Sequence, residues 1–107
     1  MRLLDLEPQW LLRADRRIGF IFRCPNPERR KWRMTCFAYP TIYADQYDAV
    51  VAALGDEDMN WQPCNEAVGW TVAGGIDAAS FDTLTVTPSI DGGANMWHGF
   101  ITNGEAA

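Results

Sequence analysis

The stretch Thr83-Leu84-Thr85-Val86-Thr87-Pro88-Ser89-Ile90-Asp91-Gly92-Gly93-Ala94-Asn95-Met96-Trp97-His98-Gly99-Phe100-Ile101-Thr102 reads as a β-hairpin: two strand-forming runs flank Asp91-Gly92-Gly93. A register with Ile90 facing Trp97 sets Ser89 opposite His98, Thr87 opposite Phe100 and Thr85 opposite Thr102. Opposed residues have Cβ atoms roughly 4.5–5.5 Å apart. The same register gathers Leu84, Val86, Ile90, Trp97 and Ile101 on one face, an apolar set suited to a core. The other face carries His98, the single histidine of the chain.

Outward from this hairpin, Arg17-Ile18-Gly19-Phe20-Ile21-Phe22-Arg23 reads as a strand, with Trp32-Arg33-Met34-Thr35-Cys36-Phe37 as its partner. Cys24-Pro25-Asn26-Pro27-Glu28 opens the loop between them. Residues 1–16 fit a short helix or an edge segment interrupted by Pro8. The run 44–54 is an amphipathic helix, with Tyr47, Val50, Val51 and Leu54 at i, i+3, i+4, i+7 and Gly55 as its stop. Asp56-Glu57-Asp58 reads as a solvated acidic turn, and 69–73 as a further strand ended by Gly74-Gly75. The expectation is a single α+β domain over 1–107, a small antiparallel sheet built from hairpins with one helix packed on it.

A chain of 107 residues suits one modest core. It holds no run as long as a membrane span, and its start lacks the apolar stretch of a secretory signal. Three cysteines, Cys24, Cys36 and Cys64, form an odd set without compact spacing, which argues against a disulfide framework and suits a reducing cytoplasm. The net charge of −5 hides a division: through Arg33 lie all nine bases and four acids, whereas the remainder holds ten acids and no base. Arg29-Arg30-Lys31-Trp32-Arg33 is the candidate patch for a nucleic acid or a protein, with one ring able to stack. The acidic pI argues against nucleic acid. A basic third packed beside an acidic remainder, or a solvated hairpin tip, accounts for the same charges.

Three functional readings follow from the residues. In a nucleophilic hydrolase, Ser89 attacks and His98 takes its proton, Gly92 and Gly93 lend N–H groups to an oxyanion, and Asp91 or Glu105 orients the imidazole. Against this, Ser89 is equally well the end of a strand and His98 a surface residue. In a zinc site, Cys24, Cys64 and His98 are ligands with Cys36 as a fourth, although the paired-cysteine knuckle of structural zinc sites is missing. In a binding module without chemistry, the five tryptophans supply aromatic anchors for a protein or peptide partner, even though most belong in the core.

Thr85-Val86-Thr87-Pro88-Ser89-Ile90, then Trp97-His98-Gly99-Phe100-Ile101 and Asn103-Gly104-Glu105, resembles the signature of an uncharacterised family of small phage and bacterial mobile-element proteins. Phe22-Arg23-Cys24-Pro25 resembles its opening motif. The resemblance implies importance for Ser89 and His98, zinc bound near the first Cys-Pro, and a peptidase role suspected for relatives encoded beside ubiquitin-like conjugation genes. This chain keeps Cys24 alone where relatives carry a cysteine cluster. The resulting expectation is an accessory protein in the bacterial cytoplasm with a hydrolase-like Ser89 and His98 site. The alternative is a protein-binding module that disables a host system.

Overall fold

Two apolar runs flanking a proline-rich loop become the central strands of a sheet, β2 (Arg16–Arg23) and β3 (Arg33–Phe37). The computed structural model describes residues 1–38, 43–55, 60–64 and 69–107. Among these residues the architecture is α+β, one α-helix and two four-stranded sheets, so the expected class holds while the single sheet becomes two. The first sheet runs β1 (Gln9–Arg13), β2, β3, β4 (Trp61–Pro63), antiparallel except for the parallel β3–β4 pair. The second runs β5 (Thr71–Val72), β6 (Val86–Asp91), β7 (His98–Thr102), β8 (Glu105–Ala106), antiparallel throughout.

The ambiguous segment 1–16 resolves into two elements. Leu3–Leu6 is a 3-10 turn that buries Leu3 and Leu6, and after Pro8 comes the edge strand β1. Ala14 and Asp15, with φ of 49° and 65°, turn β1 back into β2. This left-handed pair matches the twist of antiparallel strands.

Helix α1 (Tyr43–Leu54) ends where expected, Gly55 donating its N–H to the Val51 carbonyl. Its buried stripe differs from the expected one. Ala49 and Val50 are buried, Ala53 and Leu54 pack beside them, and Tyr47 is 44% exposed. The 49/50/53/54 stripe has the same helical spacing, and its two alanines let the backbone lie close to Leu11, Ile18, Ile21 and Phe37 of the first sheet. An ion pair of 3.2 Å from Arg13 to Asp45 ties the helix to β1. Asp56-Glu57-Asp58 lies outside the described residues.

A second core joins the sheets. Phe20, Phe22, Cys24, Met34 and Cys36 from the β2–β3 region meet Val72, Val86, Ile90 and Ile101 from the second sheet. With apolar cores on both sides of the first sheet, β3 is buried at every position, Arg33 and Thr35 included. The second sheet keeps an open face, and β7 alternates exposed and buried residues. Arg17 reinforces the junction: its guanidinium lies 4.2 Å from the centre of the Trp10 ring and donates to the Ile76 and Ala79 carbonyls at 2.9 and 2.8 Å.

The deciding hairpin forms, with a corrected register. Val86 faces Ile101, as expected, but the ladder then shifts, and Ile90 faces Gly99 while Asp91 faces His98. Strand β6 therefore holds two more residues than β7 between the matched pairs. The Thr87–Pro88 peptide in this stretch is cis. A proline has no N–H to give the ladder, so the regular pairing cannot run through Pro88. A slip of two residues preserves the side-chain alternation. Leu84, Val86, Ile90 and Ile101 are accordingly buried, and Trp97 packs against the same core.

Gly99 holds the register near the turn. A Cβ there would lie 2.4 Å from Cζ2 of Trp97 and 2.7 Å from the Ala107 carbonyl oxygen, so the indole occupies the space of a side chain.

Candidate functional site

His98 is exposed and Ser89 half-buried, and the two are not cross-strand partners, Ser89 lying within the irregular stretch of β6. His98 has Asp91 opposite it. The groups expected to assist catalysis have other duties. Gly92 donates its N–H to the Trp97 carbonyl at 3.0 Å and Gly93 to Oδ1 of Asp91 at 2.9 Å, so neither amide is left to stabilise an oxyanion. Asp91 thereby caps the turn, as an Asx side chain two residues upstream of its donor does. Glu105 lies 3.3 Å from the Met1 ammonium group.

The zinc set of Cys24, Cys64 and His98 is not assembled. Cys24 and Cys64 are buried in the core between the sheets, whereas the strand alternation turns His98 outward. Among the described residues no cluster of three or more His, Cys, Asp or Glu side chains is placed to hold a metal ion. The partner of Cys64 is Cys36. The parallel register that sets Thr35 beside Pro63 brings the next residues of the two strands together, and the Cys64 thiol lies 4.0 Å from the Gln62 carbonyl oxygen to which it donates. All three cysteines are free and buried, small apolar residues of the core rather than ligands.

Burial pushes the Cys36 thiol well above its ordinary pKa, with the Cys64 hydrogen bond and charge adding to it. An unfolded thiol ionises near about 8.5. The stabilising contribution is therefore full below that pH and is lost as pH rises towards the folded value, because the unfolded chain releases the proton first. Thermal melts from about pH 8 to about pH 10 should show a falling Tm, with a shallower fall in Cys36→Ala.

The basic cluster is largely built into the fold. Arg30 donates to the Cys24 and Pro25 carbonyls at 2.8 and 2.9 Å, clamping its own loop. Arg33 is 7% exposed. Arg23 pairs with Glu7 and donates to the Arg30 carbonyl. Lys31 and Trp32 are exposed, and Arg29 is half-buried with no ion pair among the described residues. Of the five tryptophans, Trp70 is buried, Trp10, Trp61 and Trp97 are half-buried and packed on the cores, and Trp32 is 36% exposed.

These residues meet the deciding hairpin. Nδ2 of Asn26, whose side chain caps the 3-10 turn Pro27–Arg29, donates to the Asn95 carbonyl at 3.1 Å, fastening the β2–β3 loop to the β6–β7 turn. Between them opens a cleft of about 170 Å³ lined by Arg29, Trp32, Gln62, Ala94 and Met96. Two separately legible features, the basic loop and the C-terminal hairpin, thus converge at one end of the molecule. Gln62 was not expected there, since β4 is a three-residue strand containing a proline and gives little alternation to read.

Compared with known proteins, the chain matches no family model, no curated protein and no solved structure. Among the described residues no helix is long and apolar enough to cross a membrane.

Proposed function

We propose that this chain is a protein-binding module whose recognition surface is the end where the β2–β3 loop and the β6–β7 turn meet. The observation that carries this reading is the cleft itself, which presents a half-exposed tryptophan, an arginine and a methionine from different parts of the chain. Trp and Arg dominate interface hot spots, and Met adapts its shape to a partner. Both loops are held by side-chain-to-backbone hydrogen bonds, so little ordering is left for the moment of binding. The resemblance of the C-terminal motifs supports a phage or mobile-element accessory role. The three free thiols support a location in the reducing cytoplasm of a bacterial host cell.

The hydrolase reading keeps one supporting observation, the pairing of His98 with Asp91, because an acid beside an imidazole is how a base is oriented. Two experiments separate the readings. A photocrosslinking residue at position 94, in bacterial cells producing the protein, should yield a discrete adduct that disappears in Trp32→Ala and persists in Ser89→Ala. A fluorophosphonate probe should leave Ser89 unmodified. Covalent labelling of Ser89, with no Trp32-dependent adduct, would replace the binding module with the hydrolase.

A further inference from the structure

We infer that the cleft takes an acidic peptide segment of a partner protein, one apolar side chain entering between Trp32 and Met96 while flanking carboxylates meet Arg29 and Lys31. This rests on the binding-module reading and gives its partner a chemistry.

The first support is the distribution of positive charge. Of the nine bases, Arg13, Arg17, Arg23, Arg30 and Arg33 are engaged within the fold or buried in it, and the exposed Arg2 and Arg16 lie outside the β2–β3 loop, before the first 3-10 turn and at the start of β2. Arg29 and Lys31 have no ion-pair partner among the described residues, and they sit on either side of the Arg30 clamp that fixes the loop. Glu28 is the one carboxylate on the same turn, so the loop surface remains net positive. A positive tip on a chain of net charge −5 is a local field of opposite sign to the rest, which steers and orients an acidic partner at that end.

The second support is the shape of the cleft. Its volume suits one side chain of leucine or phenylalanine size, with Trp32 and Met96 as apolar walls. Gln62 adds both a donor and an acceptor at the same place, the pair of groups that a peptide backbone needs. A polynucleotide fits less well. It requires a row of phosphate contacts, and two free cations beside one exposed ring do not provide that row while the remainder of the chain is acidic.

Selection from a displayed random-peptide library against the intact protein tests the inference. Expected are enriched sequences with Asp or Glu flanking Leu, Phe or Trp. A fluorescent peptide from that set should bind more weakly as salt rises and lose about tenfold in affinity when Arg29→Glu and Lys31→Glu are combined. Trp32→Ala should weaken the same peptide with the cations left in place. Thermal melts and circular dichroism identify any variant that fails to fold, and in that event Arg29→Gln with Lys31→Gln serves instead. Enrichment of neutral or basic peptides that still need Trp32 would overturn the acidic-partner inference and leave the binding module standing. Tighter binding of a thymidine oligonucleotide with the same residue dependence would overturn it in favour of nucleic acid. Acidic peptides indifferent to Arg29, Lys31 and Trp32 would remove both the inference and the site.

Discussion

Phe22→Ala should bring the protein close to its unfolding threshold. Phe22 is fully buried, stacks on Phe20 at 5.7 Å and meets the edge of Trp97 at 6.2 Å, and so it joins the first sheet to the C-terminal hairpin. Truncating such a ring costs about 3–5 kcal/mol, in a domain class whose total stability is about 5–15 kcal/mol. Urea unfolding followed by tryptophan fluorescence measures the loss. The control is Phe100→Ala, since Phe100 is 54% exposed on the open face of β7 and its removal should stay within about 0.5 kcal/mol. Equal effects from the two substitutions would contradict the assignment of the core.

Gly104→Ala should be the most damaging substitution of a small residue. Asn103 and Gly104, with φ of 48° and 78°, turn β7 into β8, and Gly104 donates its N–H to the Leu84 carbonyl at 2.9 Å. A Cβ at Gly104 would stand 2.2 Å from the Asp82 carbonyl oxygen, a backbone atom that cannot swing aside. Overpacking of about 1–3 kcal/mol adds to a left-handed backbone cost of about 1–2 kcal/mol. Gly74→Ala isolates the second part, because Gly74 has a φ of 79° and nothing within 4 Å of its added Cβ. In thermal melts Gly104→Ala should lose clearly more stability than Gly74→Ala, and equal losses would contradict the close approach to Asp82.

Much of the fold was legible in local pattern. The strands around Phe20 and Cys36, the helix ending at Gly55, and the core face of the C-terminal hairpin each follow from spacing and turn residues. The core face survived a wrong register because the error was two residues, the one period that returns every side chain to its own side. Strand β8 carried a readable signal as well. Asn103-Gly104 is the dipeptide that two-residue hairpin turns favour, and it went unread because the strand after it is two residues long. The parallel β3–β4 pair was not legible, since its partners are separated by the helix and its strand is short.

Several residues of the C-terminal motifs have structural work that their spelling does not announce. Trp97 covers Gly99, Thr85 Oγ1 accepts from the Asn103 amide at 2.8 Å, and Gly104 abuts Asp82. Sequence reading singled out Ser89 and His98 because hydroxyl and imidazole are reactive types, yet the reactivity of that pair depends on a register that Pro88 interrupts. The loop-end cleft was half legible. The basic cluster with Trp32 stood out, but its convergence with Ala94 and Met96 depends on the two sheets packing together, a long-range contact that no window of sequence contains.

What sets the proposed binding module against the hydrolase reading is how β6 and β7 pair. Cross-strand proton contacts in a nuclear Overhauser spectrum of the labelled protein measure this directly. Contacts between the backbones of Asp91 and His98, and of Ile90 and Gly99, are the predicted result. Backbone contacts placing Ser89 directly across from His98, and Ile90 across from Trp97, would contradict the account and restore the serine and histidine as neighbours.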